Sequence, residues 1–378
     1  MFAFLPKLAL AWLPLASTPS PTASPQGTAA SVLAEGVERC TLPEGSLMSC
    51  HIQIPCGPGP KGVAFSPDSS QVWVSLLGGP PSLEVYSVTT GEKIKTLTLG
   101  ENGAVEVVFS HDGTTAFASQ METASVFEIN TQTFEIGPQH STRSTWSKVV
   151  TSSLDDRWLF VSNWIGNDVS RIDRMGEEPT RRIPTAKTPR GLYLTRDGEQ
   201  LYVASFGAGK LQRVDTNTRQ VEDLYQGGVL RHLVGDESRD ALFISDMRRG
   251  QILRHTLSTR STSVLASTDA NPNTIDLSPD GRILAVSCRG RNNRNSYYQP
   301  GPEWGSVLLF DTSSGRKLDA LVGGNQPTGL DISPDGRWLA YTDLLDNQVT
   351  LVQLPESPVL LSGNGGRSDL YRSEMRKP

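Results

Sequence analysis

The stretch "TIDLSPDGRILAVS", residues 274–287, carries the pattern that decides the fold. A short apolar segment leads into Ser-Pro-Asp-Gly, and a second apolar segment follows. Proline presets φ at the second position of a turn, aspartate bonds back to nearby backbone, and glycine accepts positive φ. The stretch therefore predicts a β-hairpin made of two short strands.

The same pattern occurs seven times along the chain, at steps of 44, 43, 42, 41, 42 and 55 residues. The residue that opens each turn is Ser66, Ser110, Ser153, Thr195, Asp236, Ser278 or Ser333. Each copy continues into a third strand that ends near aspartate, as in "LQRVD" (211–215), and then turns into a fourth. Four strands in roughly 40 residues is typical of a propeller blade. We therefore predict an all-β fold, a seven-bladed β-propeller of four-stranded antiparallel blades.

The ends of the repeat predict how the ring closes. The last copy supplies three clear strands, ending in "QVTLVQL" (348–354), while "CHIQIP" (50–55) precedes the first copy where a fourth strand is missing. A propeller must close to remove its sheet edges. We expect the N-terminal strand at 50–55 to complete the seventh blade; the alternative closes it with "PVLL" (358–361).

The N-terminus suggests export. An apolar run from Leu8 to Ala16, interrupted by Pro14, suits the central region of a secretory signal, and a Ser/Thr/Pro/Ala stretch follows it. Nothing else approaches about 18 continuous apolar residues, so no transmembrane segment is expected. The predicted organisation is a signal at 1–16, a disordered linker at 17–36, the propeller at 37–356 and a polar C-terminal tail at 357–378. We expect a monomer in the periplasm, at the cell surface or outside the cell.

Charge and cysteine content narrow the range of functions. A net charge of −5 argues against a protein that holds nucleic acid with its whole surface. Three of the four cysteines, Cys40, Cys50 and Cys56, lie close together, and the fourth is Cys288. In an exported chain this spacing favours one disulfide, with Cys40 and Cys50 as candidates, although free buried thiols fit equally well. Metal binding is not expected, because no C-x-x-C pair and no histidine at ligand spacing accompany them.

Two segments and the recurring "SPDG" resemble the YVTN family of β-propeller repeats. They are "SNWIGNDVSRID" (162–173) and "LYVASFGAGKLQRVD" (201–215), and Asn163 is the residue that matches the signature asparagine. The resemblance covers nearly all of residues 37–354 and implies the propeller fold. The family and its relatives include surface-layer proteins, lactonase-like hydrolases and the haem-carrying propeller of cytochrome nitrite reductases. Because they share a fold and not a chemistry, the resemblance does not carry one function over.

Sequence motifs for catalysis or cofactors are absent. The chain contains no G-x-S-x-G, no H-E-x-x-H, no P-loop and no EF-hand loop, and the haem attachment signature Cys-x-x-Cys-His does not occur. The five histidines, including His232, are scattered without ligand spacing. We therefore expect no bound cofactor.

The register of the repeat predicts a positively charged channel mouth. The residue five before each turn should lie where the innermost strand reaches the mouth, and in chain order these residues are Lys61, Val105, Lys148, Arg190, Arg231, Asn273 and Thr328. Four are cations and none is an anion. Loops after the second strands add Arg248, Arg249, Arg289, Arg291 and Arg294 on the same face. Such clustering would attract an anionic ligand; in the alternative interpretation these are solvated side chains paired with Glu106, Asp246 and Asp343.

One place departs from the repeat, the segment "CRGRNNRNSYYQPGPEWGSV" at 288–307. It follows the second strand of the sixth copy and is about 13 residues longer than a typical connection, and loops of this length are often functional. Tyr297, Tyr298 and Trp304 suit rigid binding anchors. They could equally pack the loop down as a lid across the channel.

These features favour a non-catalytic exported propeller that binds a protein partner or an acidic small molecule on its loop-rich face. The alternative is a lactonase-like hydrolase, in which His232 and the arginines would polarise a carbonyl and Glu106 would act as base. A redox propeller carrying haem or quinone is the least favoured, since no attachment motif is present.

Overall fold

The computed structural model describes residues 32–367 and 370–377. The expected signal and most of the expected linker therefore lie outside the described residues. The first strands of the described residues are β1 (Glu38–Arg39) and β2 (Ser49–Pro55), and the repeats then follow one another around the ring.

Six blades each consist of four consecutive antiparallel strands, with the first strand innermost. Blade one comprises β3 (Pro60–Phe65), β4 (Gln71–Leu76), β5 (Leu83–Ser87) and β6 (Lys93–Leu97). Blade two comprises β7 (Glu106–Phe109), β8 (Thr115–Gln120), β9 (Ser125–Asn130) and β10 (Ile136–Ser141). Blade three comprises β11 (Ser147–Ser152), β12 (Trp158–Asn163), β13 (Asp168–Asp173) and β14 (Arg181–Pro184).

The second half of the ring follows the same order. Blade four comprises β15 (Pro189–Leu194), β16 (Gln200–Ser205), β17 (Lys210–Asp215) and β18 (Val221–Gln226). Blade five comprises β19 (Leu230–Asp236), β20 (Ala241–Asp246), β21 (Gln251–Thr256) and β22 (Ser261–Ser267), with a short 3-10 helix at Glu237–Arg239. Blade six comprises β23 (Pro272–Leu277), β24 (Ile283–Cys288), β25 (Ser306–Asp311) and β26 (Lys317–Val322).

Blade seven joins the two ends of the chain. It comprises β27 (Pro327–Ile332), β28 (Trp338–Asp343) and β29 (Gln348–Gln353), and β2 pairs antiparallel with β29. The predicted closure by the N-terminal strand is confirmed, and β1 adds a short fifth strand at the outer edge. The alternative closure is wrong, since residues 358–361 belong to helix α1 (Ser357–Ser362), where a proline occupies the first turn.

Two of the four cysteines form the candidate disulfide, and the other two are free. Cys40 and Cys50 form a disulfide with 5.3 Å between their Cα atoms, and it joins the end of β1 to β2. Cys56 and Cys288 are free thiols, the second of them buried. The disulfide therefore ties the extra outer strand to the blade that closes the ring.

The turns form as their sequence predicts. In blade six, Ser278 Oγ donates to Asp280 Oδ1 at 2.6 Å, and the Asp280 carboxylate also accepts the backbone N–H of Arg282 at 3.1 Å. Gly281 has a φ of 67°, a conformation that glycine adopts without strain. The turn is therefore stabilised by contacts within the hairpin itself.

The core lies between neighbouring blades. The second strands of blades one to five each place an aromatic residue at the same position, where all five are buried: Trp73, Phe117, Phe160, Tyr202 and Phe243. Burying one such side chain contributes about 1.5–3 kcal/mol relative to exposure. These inter-blade layers hold the innermost strands in place around the channel.

The segment predicted as a polar C-terminal tail, residues 357–378, also contributes to the core. Leu360 is buried against blades six and seven, and Tyr371 and Met375 are buried against blades five and six. Tyr371, in a 3-10 turn at Tyr371–Ser373, donates its hydroxyl to Asp269 at 2.7 Å. Within the described residues, no helix is long and apolar enough to span a bilayer.

Candidate functional site

A serine in the second strand of most blades positions the channel wall. In five blades this hydroxyl donates to the backbone carbonyl of the channel position in the next blade; the pairs are Ser75 with Val105, Ser119 with Lys148, Ser162 with Arg190, Ser245 with Asn273 and Ser287 with Thr328. The innermost strand of one blade is thereby pinned to its neighbour at the predicted register. Of the seven predicted positions, Lys61, Lys148 and Arg231 line one cavity at the loop-rich end of the channel.

A cavity of about 470 Å³ opens at the loop-rich end of the channel, and we call it the mouth cavity. Its charged lining comprises Lys61, Lys148, Arg231, Arg248 and Arg289. Its apolar lining comprises Trp164, Phe206, Val229, Met247 and Tyr297. All five charged residues were predicted at this face, Lys61, Lys148 and Arg231 from the repeat register and Arg248 and Arg289 from the loops after the second strands.

The cations of the mouth cavity are poorly neutralised. Lys61 and Arg231 are buried, at 7% and 5% exposure. Glu106 is the nearby carboxylate, and Arg190 Nη2 already binds its Oε1 at 2.5 Å. Burial, together with the neighbouring Arg231 and Arg289, holds the pKa of Lys61 well below its usual range. A desolvated positive cluster of this kind has a strong electrostatic preference for an anion.

Several buried polar atoms around the channel have no partner among the described residues. They include donors, Arg190 Nη1, Arg231 Nε and Arg289 Nε, and acceptors, Asn273 Oδ1 and Gln326 Oε1. Buried polar groups in folded proteins are normally hydrogen-bonded, to protein or to water. Their concentration in one channel indicates a site with unused hydrogen-bonding capacity.

The apolar wall comes from a column of the repeat that sequence reasoning missed. Trp164, Phe206 and Met247 each follow directly after the last residue of a second strand, in blades three to five. The ring centroids of Trp164 and Phe206 lie 4.9 Å apart. Reading this column through the copies would have found the wall, because the position recurs with the period of the repeat.

The inserted loop bends over the mouth through Tyr297. Lys61 Nζ donates to Tyr297 Oη at 2.9 Å, and the guanidinium carbon of Arg289 lies 4.1 Å from the centroid of its ring. Gln326 Nε2 donates to the backbone carbonyl of Tyr297 at 2.6 Å. The loop thus reaches from blade six to blade one, as the lid interpretation expects, and a binding role for this residue stays a prediction.

Other residues predicted for the site lie elsewhere on the inserted loop. Arg291 is exposed and pairs with Glu303 at 2.9 Å, and Arg294 is exposed without lining the cavity. Trp304 faces the C-terminal segment, since Lys377 Nζ lies 4.4 Å from the centroid of its ring. Tyr298 is 68% exposed and packs edge-on against Tyr297. None of these four residues belongs to the lining of the mouth cavity.

His232 was also predicted at the mouth, and the structure places it in the opposite half of the channel. It follows Arg231 on β19, and alternation along a strand turns its side chain away from the mouth cavity. It lines a second cavity of about 450 Å³ together with Glu106, Asp276 and Asp331. Burial lowers the pKa of His232 to about 4, so the imidazole is neutral at pH 7.

Two aspartates share this second cavity with Glu106. Asp276 accepts the backbone N–H of Ile332 at 2.8 Å, and Asp331 accepts that of Phe65 at 2.7 Å. Burial raises the pKa of both groups, to about 6 for Asp276, and the like charge of Asp276 adds to the effect on Asp331. The two ends of the channel therefore differ in character, cationic at the mouth and carboxylic at the other end.

The carboxylates predicted as partners for the cations behave differently from one another. Glu106 does pair with Arg190, and this interaction holds its pKa below the usual range against the opposing effect of burial. Asp246 accepts the N–H of Val229 at 2.9 Å and lies 3.8 Å from Arg249. Asp343 accepts the N–H of Gly324 at 2.9 Å, and burial raises its pKa to about 8. An ionised Glu106 bound to arginine is poorly suited to act as a general base.

The side chains that commonly bind metal ions form no metal-holding cluster among the described residues. Over residues 32–367 and 370–377, no group of three or more His, Cys, Asp or Glu side chains is arranged to hold a metal ion.

The ring of seven blades around a polar channel defines the class of this protein, a seven-bladed β-propeller. A solved structure of hydrazine synthase from Kuenenia stuttgartiensis has a similar fold, with a TM-score of 0.61 and 19% identity over 71% of this chain and 82% of that one. This likeness concerns the fold alone.

Sequence comparison finds one more specific relative. The chain is 31% identical over 304 residues to Antigen Lp49 of Leptospira interrogans serogroup Icterohaemorrhagiae serovar copenhageni (strain Fiocruz L1-130). The match covers 77% of this chain and 66% of that protein, slightly less than two thirds of its length. No protein-family model matches the chain, so the resemblance to YVTN repeats stays a prediction.

Proposed function

We propose that this protein is an exported, non-catalytic β-propeller that binds an anionic ligand in the mouth cavity. One observation carries the proposal: buried cations line the cavity with one nearby carboxylate, which is already paired. Burying a charge without a counterion is costly. An anion bound among Lys61, Arg231 and Arg289 would offset that cost and would accept from donors that lack partners.

The size and the lining of the cavity favour a particular type of ligand. A volume of about 470 Å³ is within the range of small-molecule sites. The acidic group belongs near Lys61 and Arg231, while Trp164, Phe206 and Met247 offer a wall for an apolar or flat portion. The ligand is thus an acid with an apolar body, either a free small molecule or an acidic group presented by a protein partner.

Exposed side chains at the rim of the cavity favour an acidic group presented by a protein partner. Trp146, Ile165 and Tyr298 belong to loops on this face and remain 41%, 50% and 68% exposed. Exposed aromatic and aliphatic side chains around a charged pocket suit a partner whose acidic group enters the pocket.

Export fits three features. The N-terminal sequence has the character of a secretory signal, the chain carries a disulfide, and its relative Lp49 is named an antigen. Disulfides persist in oxidising compartments. We place the protein in the periplasm or at the cell surface, as the resemblance to surface-layer propellers also suggests.

The test uses benzoate as the acidic probe and benzamide as its neutral match. Trp164 lines the cavity, so binding is followed by tryptophan fluorescence and by calorimetry. Benzoate should bind more tightly than benzamide, and Arg231→Leu should weaken benzoate binding at least tenfold, since a hydrogen bond to a charged group contributes about 1.5–3 kcal/mol.

The matched control is Arg294→Leu, which removes the same charge from the exposed part of the inserted loop. It should leave benzoate binding unchanged. Equal binding of benzoate and benzamide, or equal losses in the two variants, would refute the proposal.

A further inference from the structure

Lys148 differs from the other cations of the mouth cavity in its contacts. No hydrogen bond or ion pair joins its ammonium group to any residue within 32–367 and 370–377, whereas Lys61 donates to Tyr297 and Arg190 binds Glu106. Its Nζ lies instead over the indole of Trp164, 4.3 Å from the ring centroid, and 5.8 Å from that of Trp146. The amine is thus held at the cavity surface by aromatic rings without an acceptor.

The surroundings of Lys148 favour the neutral amine. Burial is the largest effect, and Arg190, Lys61 and Arg231 add repulsion that Glu106 only partly offsets; together they lower the pKa of Lys148 to about 6. The indole faces favour the cation, but this attraction is weaker than the cost of burying an unpaired charge. At pH 7.4 the side chain therefore has a free electron pair, as in lysines that are activated by desolvation and a neighbouring cation.

We propose that Lys148 captures the carbonyl group of an anionic aldehyde or ketone as a Schiff base. The amine attacks the carbonyl carbon, the carbinolamine loses water, and a C=N bond replaces the C=O bond. One water molecule leaves and no oxidant or reductant is needed. This inference rests on the proposed function, because the acidic group of the same molecule is held by the neighbouring cations.

The cavity supplies what such a capture requires. Arg231 and Arg289 line the same cavity and can hold a carboxylate or phosphate beside the amine. Trp164 and Phe206 form a wall against which a conjugated imine can lie, where fewer waters can hydrolyse it. The ligand class is therefore narrowed from acids in general to acids that carry a reactive carbonyl.

The experiment uses pyridoxal 5′-phosphate, an aromatic aldehyde with an anionic group, on the full-length protein. Pyridoxine 5′-phosphate, the corresponding alcohol, measures anion binding without imine formation. Imine formation is followed by absorbance, and borohydride then fixes the adduct for mapping by mass spectrometry. We expect one adduct, at Lys148, formed at pH 7.4 at least tenfold faster than at any exposed lysine.

Two variants make the result specific. Lys148→Arg removes the reactive amine and should lose the adduct, while Lys187→Arg, an exposed position outside the cavity, should retain it. If the first variant is unstable, the pH dependence of labelling in the wild-type protein decides: Lys148 should react fully above about pH 7, whereas exposed lysines gain reactivity toward pH 10.

The outcomes separate the two proposals. If the alcohol binds and the aldehyde gives no preferred adduct at Lys148, the Schiff-base inference is wrong and anion binding stands. If neither compound binds, both proposals are wrong. An adduct that forms equally well on Lys148→Arg would also overturn the inference.

Discussion

Replacing Glu106 with glutamine should destabilise the protein and make its stability depend on anions. Glutamine keeps the size of the side chain and an acceptor for Arg190, so the substitution removes little besides the charge. Arg190 is 2% exposed, and the side chain of Glu106 is 19% exposed. Leaving a buried charge unpaired costs about 3–5 kcal/mol, and we expect about 3 kcal/mol because water reaches one end of this pair.

The assay is thermal unfolding in a chloride buffer of low ionic strength. A loss of about 3 kcal/mol corresponds to a Tm lower by about 4 °C for a domain of this size. Phosphate should then raise the Tm of Glu106→Gln more than that of the wild type, since a ligand at a hundredfold excess over its Kd stabilises by about 2.7 kcal/mol. Scans at one fixed rate keep the comparison valid if unfolding is irreversible.

The pH dependence follows from the lowered pKa of Glu106. The stabilising effect of this carboxylate is present above its unfolded pKa of about 4.3 and is lost as the pH falls below that value. The Tm difference between wild type and Glu106→Gln should therefore shrink below about pH 4. Glu222→Gln, which breaks exposed ion pairs with Arg213 and Arg260, is the control and should change Tm by under about 2 °C. A Tm for Glu106→Gln equal to that of the control would refute the reasoning.

Three further substitutions test the electrostatics and the C-terminal segment. Lys148→Met should raise the Tm at pH 7, and the gain should shrink toward pH 10, because the lysine pKa is lowered on folding and its cost disappears once both states are neutral; a gain that grows with pH would contradict this. Asp331→Asn should raise the Tm at pH 8 more than at pH 5, since Asp276 and Asp331 have raised pKa values and oppose folding only when ionised. Tyr371→Phe should lower the stability by about 1–2 kcal/mol by removing the donor to Asp269, as measured by denaturant unfolding; a change below 0.5 kcal/mol would show that water replaces the hydroxyl.

The basic mouth could be predicted in part because its positions recur. Lys61, Lys148 and Arg231 occupy one column of the repeat, and a column on the innermost strand must face the channel. Arg291 and Trp304 could not be placed this way, because they lie in an insertion where the repeat gives no register. His232 shows a different limit, since it adjoins a mouth residue in sequence but faces the other half of the channel.

The architecture could be predicted from the sequence alone, since the turn residues act locally and the same hairpin pattern occurs seven times. The sequence also predicted how the ring closes, because the last copy contains only three strands and the N-terminal strand is available as the fourth. Only the tertiary structure decided which polar side chains meet. Arg190 binds Glu106, 84 residues away in the sequence, and Lys61 binds Tyr297, 236 residues away. Those pairs depend on the curvature of the ring and on the path of an irregular loop. The unpaired amine of Lys148 is likewise a property of its neighbours, which reach the channel from other blades.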